Sequence, residues 1–223
     1  MPYLYVIRHG QPDFTGNYDS ITPLGFQQAE WRGEHFAARG LRFARIVSGT
    51  LHRQIETCDA IVSRLPDAPE PRRDARFNEY DHASLLAFFE HEDQRRLRAT
   101  GDRRAYFMAI RDALYAWSSH EGPLEGAETW SDFGSRIEDA LETVCEGLGR
   151  DDVVLVVTSG GVIGRTVAAT LGADTDAAIQ LNLQARNTGV TEIVRGSSVS
   201  RLAAFNAIPH LERPDRAHAV SYS

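Results

Sequence analysis

Three short apolar runs punctuate the chain: residues 3–7, 44–47 and 153–157, each rich in β-branched or aromatic side chains. Runs of four to eight such residues, closed by a turn former, read as buried strands. Residues 190–194 and 201–205 have the look of edge strands. Between these lie stretches with apolar residues at helical spacing. One begins after Thr22 and Pro23, a capping hydroxyl followed by a proline at the first helical position. Others leave residue 51, cover 131–148 and start at Gly160. Residues 83–120 hold two amphipathic patterns around a break at Thr100-Gly101-Asp102. Strands alternating with helices predict an α/β three-layer sandwich, a mostly parallel central sheet flanked by helices.

In such sheets ligands bind in the crevice at the carboxyl ends of the strands, so the residues there carry the functional reading. The first run ends in Arg8-His9-Gly10, a guanidinium fork beside an imidazole, with a glycine that permits close approach. The second runs into Ser48-Gly49-Thr50-Leu51-His52-Arg53. Arg76-Phe77-Asn78-Glu79 follows, and the third run opens into Thr158-Ser159-Gly160-Gly161.

In that order RHGQ, YDSITPLGFQQA, SGTLHRQIET, RFNEY, VVLVVTSGG and FNAIPHL cover nearly the whole chain. Together they resemble the histidine phosphatase superfamily, the phosphoglycerate mutase-like family. The resemblance implies a two-step phosphoryl transfer on a small phosphorylated substrate, with no metal and no cofactor. His9 would attack phosphorus and form a phosphohistidine that water hydrolyses. Arg8 and Arg53 would clasp the phosphoryl oxygens. Glu79 would protonate the leaving alkoxide and then deprotonate water, which needs a carboxyl pKa raised by neighbours such as Phe77 and Tyr80. Glu92, Glu121 and Glu128 are the competing carboxylates. An insertion at about 83–125 would form a helical lid that selects the substrate. Its Arg95, Arg96, Arg98, Arg103 and Arg104 are either a second anion site or, the preferred reading, a solvated helix face.

The resemblance also exposes a departure. The family usually carries a second histidine after this strand, where the chain has Ser159. A charged hydrogen bond contributes roughly 1.5–3 kcal/mol against about 1 for a neutral one, so turnover would fall about tenfold or more. Ser159 keeps a hydroxyl donor and, with Gly160, opens a helix whose free N–H groups favour anions. Reduced phosphatase activity is the expectation, with a phosphoester-binding protein of vestigial chemistry as the alternative and a mutase less favoured. His52 and His82 are the candidates for a replacement imidazole. Thr15 and Asn17 lie near where the family often has a phosphate-contacting asparagine.

Other chemistries are set aside on sequence grounds. All 24 basic residues are arginine, which removes Schiff-base and Walker-type lysine mechanisms. Cys58 and Arg64 have cysteine-phosphatase spacing, but the residues between them contain no glycine for a phosphate cradle. Cys58 and Cys145 read as buried thiols of a reducing compartment. No metal-ligand spacing appears. A net charge of −7 disfavours nucleic acid and anionic lipid as partners. The apolar runs are too short to span a bilayer and the chain starts on a core strand, so a cytoplasmic location is expected. The expectation is one domain over 1–223 with a loose tail from about 214; a homodimer is compatible with it.

Overall fold

Alternation within the central strands builds the molecule. The computed structural model describes residues 2–14, 16–99, 101–196 and 199–222, the side chains of 97, 98 and 103 excepted. Thr15, Thr100 and the side chains of Arg98 and Arg103 therefore lie outside the described residues.

Six strands form one sheet in the order β3-β2-β4-β1-β5-β6. They are β1 (Tyr3–Arg8), β2 (Arg45–Ser48), β3 (Arg72–Arg73), β4 (Val153–Thr158), β5 (Val190–Val194) and β6 (Arg201–Ala207). The first four in sequence are mutually parallel; β5 runs antiparallel to β1, and β6 antiparallel to β5. Leu4, Val6, Val154 and Val156 belong to one apolar cluster, and Tyr5, Ile7, Leu155 and Val157 to another. Successive strand residues point to opposite faces, so both faces are buried and need helices.

Helices α1 (Pro23–Ala38) and α2 (His52–Val62) cover one face through Ala29, Phe36, Cys58 and Ile61. The other face takes α6 (Trp130–Cys145) and α7 (Gly160–Leu171), and through Ile179 α8 (Thr175–Gln184). Between Glu79 and α6 stand α3 (His82–Phe89), α4 (Glu92–Arg98) and α5 (Arg103–Ser119), whose Leu85, Leu86, Ile110, Leu114 and Trp117 join the same cluster. The three-layer α/β expectation holds, with three helices where two patterns are visible in the sequence.

The start of α1 is as its sequence predicts: Thr22 Oγ1 accepts from Gly25 N at 3.0 Å, with Pro23 in the first turn. Two details differ from expectation. β5 is not an edge, because it pairs with β1 on one side and β6 on the other. The segment from 214 is not loose. Ala219 is fully buried, and Gln28 Nε2 donates to its carbonyl at 2.6 Å and to Ser221 Oγ at 2.9 Å. A polar tail is held here by a buried glutamine far away in sequence.

Candidate active site

Register brings the site together. Arg8 pairs with Thr158 across β1 and β4, and Ser48 pairs with Val157 across β2 and β4. His9 and Ser159 thus leave adjacent strands side by side, and the loop into α2 starts next to them. The His9 backbone is fixed from both sides. Its N–H donates to Thr158 O at 2.9 Å, and its carbonyl accepts from Asn187 Nδ2 at 3.1 Å.

The His9 ring is almost wholly buried, and its Nδ1 lies 2.8 Å from the Gly10 carbonyl. A carbonyl only accepts, so Nδ1 carries the proton and Nε2 keeps its lone pair. Burial, then the charges of Arg53 and Arg8, hold the imidazole pKa well below its ordinary value. The ring is neutral near pH 7.

Arg53 comes from the first turn of α2. Its Nη1 donates to Asp19 Oδ1 at 2.7 Å, its guanidinium sits 5.1 Å over the Tyr18 ring, and its buried Nε has no hydrogen-bond partner among the described residues. Arg8 ends β1 and donates through Nη1 to the Ala185 carbonyl. Both guanidiniums are buried.

Glu79 follows a 3-10 turn over Ala75–Phe77 whose position is pinned. The Phe77 carbonyl accepts from Thr158 Oγ1 at 2.6 Å and Gln54 Nε2 at 3.1 Å, and Arg136 Nη1 donates to the Asn78 carbonyl at 2.9 Å. Glu79 Oε2 accepts from Gly161 N at 2.9 Å, and Oε1 accepts from Tyr80 N at 3.3 Å. Burial nonetheless raises its pKa, against the pull of these N–H groups and of Arg53 and Arg8. Phe77 and Tyr80 are buried beside it, as the sequence predicts. A Cβ on residue 161 would lie 2.2 Å from Glu79 Oε1, so glycine there is what lets the carboxylate reach the start of α7. The competing carboxylates are elsewhere. Glu128 is ion-paired with Arg136, Glu92 with Arg96, and Glu121 is exposed.

Ser159 is buried at the N-cap of α7, yet its hydroxyl makes no capping bond. It accepts instead from Gln54 Nε2 at 2.9 Å. The Gly160 backbone lies against Arg8, whose Cζ is 3.6 Å from where a Cβ would stand. Asn17 is exposed and bonds within its own turn, its Oδ1 accepting from Asp19 N at 3.1 Å. His52 is exposed on α2, whereas His82 lines the same cavity as Arg8 and Glu79. Arg95 and Arg96 pair with Glu92 on their own helix, away from that cavity.

Asp19, Gln54, Tyr106 and Asn182 are the site residues that sequence reasoning misses. Only Asn182, polar between Leu181 and Leu183, leaves a trace there; its Nδ2 donates to the Tyr80 hydroxyl at 3.1 Å. The cavity, about 20 Å³, is walled by Tyr18, Tyr80, Tyr106, Phe107 and Ile110 around the polar groups. Among the described residues no cluster of three or more His, Cys, Asp or Glu is placed to hold a metal ion.

A mixed α/β sheet with an Arg-His pair at the end of its central strand and a second arginine and a carboxylate converging on it defines a class, and comparison with known proteins gives that class a name. The chain belongs to the histidine phosphatase superfamily (branch 1), whose family model matches residues 4–208. It is 29% identical over 173 residues to the 2,3-bisphosphoglycerate-dependent phosphoglycerate mutase of Rhizobium etli, covering 73% of this chain and 77% of that one. It is also 39% identical over 67 residues to the mitochondrial serine/threonine-protein phosphatase PGAM5 of Rattus norvegicus, covering 29% of this chain. That match spans only 23% of the length of PGAM5. The solved structure of YhfR from Bacillus stearothermophilus superposes with a TM-score of 0.70 at 21% identity, covering 95% of this chain and all of that one, and so shares the fold.

Proposed function

We propose that the protein is a phosphomonoester hydrolase working through a phosphohistidine on His9. The Nε2 lone pair attacks phosphorus, the ester P–O bond breaks, and protonated Glu79 gives its proton to the departing oxygen. Water then attacks the phosphohistidine, Glu79 takes its proton, and the P–N bond breaks to release inorganic phosphate and the neutral imidazole. Arg8 and Arg53, with the Gly160 backbone, bind the phosphoryl oxygens and offset their charge. The positive charge comes from the protein, and no metal enters the scheme. The observation that carries this reading is the buried, neutral His9, its Nδ1–H tied to Gly10 so that Nε2 is the nucleophilic edge.

The chain acts as one domain in this reading, with helices α3 to α5 as the lid. The aromatic walls, among which Arg8 and His82 are the basic groups of the described residues, favour a small monoester whose alcohol is apolar. A cytoplasmic setting and a freely soluble substrate fit this chemistry. Ser159 stands where the family usually has its second histidine. Because a hydroxyl that accepts from Gln54 Nε2 keeps one neutral donor where an imidazole would stand, a phosphoester-binding protein with vestigial catalysis is the second reading.

Turnover of a generic aryl phosphate by the purified protein, with and without chelator and alongside H9N, tests the proposal. Chelator-insensitive hydrolysis lost in H9N is the expected result. No turnover, together with a melting temperature raised by a phosphate ester, would favour the binding protein; turnover retained by H9N would exclude a His9 mechanism.

A further inference from the structure

We infer that His82, the first residue of α3, supplies the imidazole contact to the phosphoryl group that position 159 lacks, reaching it from the lid side of the cleft. The inference rests on the phosphohistidine reading and adds a binding group to it.

His82 lines the cavity together with Arg8 and Glu79. Its ring packs 4.7 Å from that of Tyr80 and 6.1 Å from that of Tyr18, the ring on which the Arg53 guanidinium rests. Backbone and side chain are both fixed. Asp81 caps α3 by accepting from Ala83 N at 2.9 Å, and Nδ1 of His82 lies 3.2 Å from the Tyr106 hydroxyl. In the tautomer that this contact requires, Tyr106 donates to Nδ1 and the ring proton sits on Nε2. Nε2 is buried and has no hydrogen-bond partner among the described residues. Buried polar atoms are rarely left so, unless a ligand meets them.

The alternatives are worse placed. His52 is exposed, and Ser159, whose Oγ accepts from Gln54 Nε2 and keeps its O–H to donate, offers a hydroxyl but no imidazole. Burial and the charges of Arg53 and Arg8 push the His82 pKa down to about 3, so the ring enters the cycle as a neutral N–H donor. A protonated histidine at position 159 would act as a cation; His82 acts as a dipole, and the positive charge comes from the two arginines.

The test compares kcat and KM for an aryl phosphate, and inhibition by inorganic phosphate, in the wild type, H82F, H82Q and H9N. H82F keeps the ring stacked on Tyr80 but removes both nitrogens. It should lower kcat/KM about 100-fold, the usual effect of deleting one transition-state donor, and weaken phosphate inhibition about tenfold. H82Q, which keeps an N–H donor, should recover much of both. If His82 only packs, H82F stays within twofold of wild type and H82Q is the worse variant; that result overturns the inference while an inactive H9N leaves the phosphohistidine reading intact. Activity surviving in H9N would instead remove the reading beneath it. Should H82F not fold, H82A assayed with added imidazole decides: restored turnover supports the contact, and no restoration in a folded protein overturns it.

Discussion

One hydrogen bond sets the chemistry available to His9. Because the Gly10 carbonyl takes the Nδ1 proton, the other edge of the ring is the one left to act as the proposed nucleophile, and burial beside two guanidiniums keeps it unprotonated. Glu79 is tuned the opposite way, burial favouring its protonated form. The first chemical step needs that proton, so kcat/KM for an alkyl phosphate should fall as pH rises through the raised Glu79 pKa. E79Q should lose about 10²–10⁴-fold, with no such limb and with a smaller loss for aryl phosphates, whose leaving group needs less protonation. pH–rate profiles of both proteins on both esters check this; equal losses on the two esters would contradict the acid role. Arg8 and His9 stand out in the sequence because they close a buried strand, whereas Arg53 and Glu79 are singled out by the resemblance of the motifs that contain them. Asp19 and Gln54 are not legible there, because their partners Arg53 and Ser159 lie 34 and 105 residues away, and nothing local distinguishes an engaged glutamine from a surface one.

Elements turn these residues into a site by register and buttressing. The parallel pairing of β1 with β4 sets the positions of His9 and Ser159, and this much follows from two apolar runs with polar ends. The buttress behind His9 does not. Asn187, just before β5, donates to the His9 carbonyl, while its own Oδ1 accepts from Ser221 Oγ at 2.9 Å and its N–H donates to Ser221 O at 3.0 Å. The C-terminal segment therefore holds the residue that holds His9. Its composition reads as a loose tail, since two alanines and a valine among mostly polar side chains give no apolar periodicity. Deleting residues 214–223 should lower both the melting temperature and kcat, by about tenfold for the latter if misplacement of His9 costs on the order of 1.4 kcal/mol of the barrier. Thermal melts and steady-state rates of the truncated chain measure it; unchanged kcat would mean that Asn187 keeps its place unaided. The same limit explains β5: its pairing on both sides depends on strands far away in sequence, which a short half-polar run does not reveal.

At the scale of the whole molecule, charge is distributed to serve one end of the sheet. The chain is acidic overall at −7, yet Arg8 and Arg53 are buried together at the carboxyl edge of the central strands, where a phosphoester would bring its own negative charge. Larger clefts, such as the one bordered by Glu142, Arg195 and Gly196, lie at the opposite strand ends, near where Arg195 N donates to Pro2 O at 3.0 Å. Among the described residues, chemistry and concavity coincide in the smaller cavity beneath α3 and α5. The most direct measurement of the central claim is to mix enzyme with a labelled phosphomonoester, quench in base within the first turnover, and map the phosphorylated residue. The account predicts an acid-labile, base-stable phosphoryl group on the peptide containing His9, absent in H9N. Turnover with label on another residue, or with no phosphoenzyme formed at any time, would contradict it.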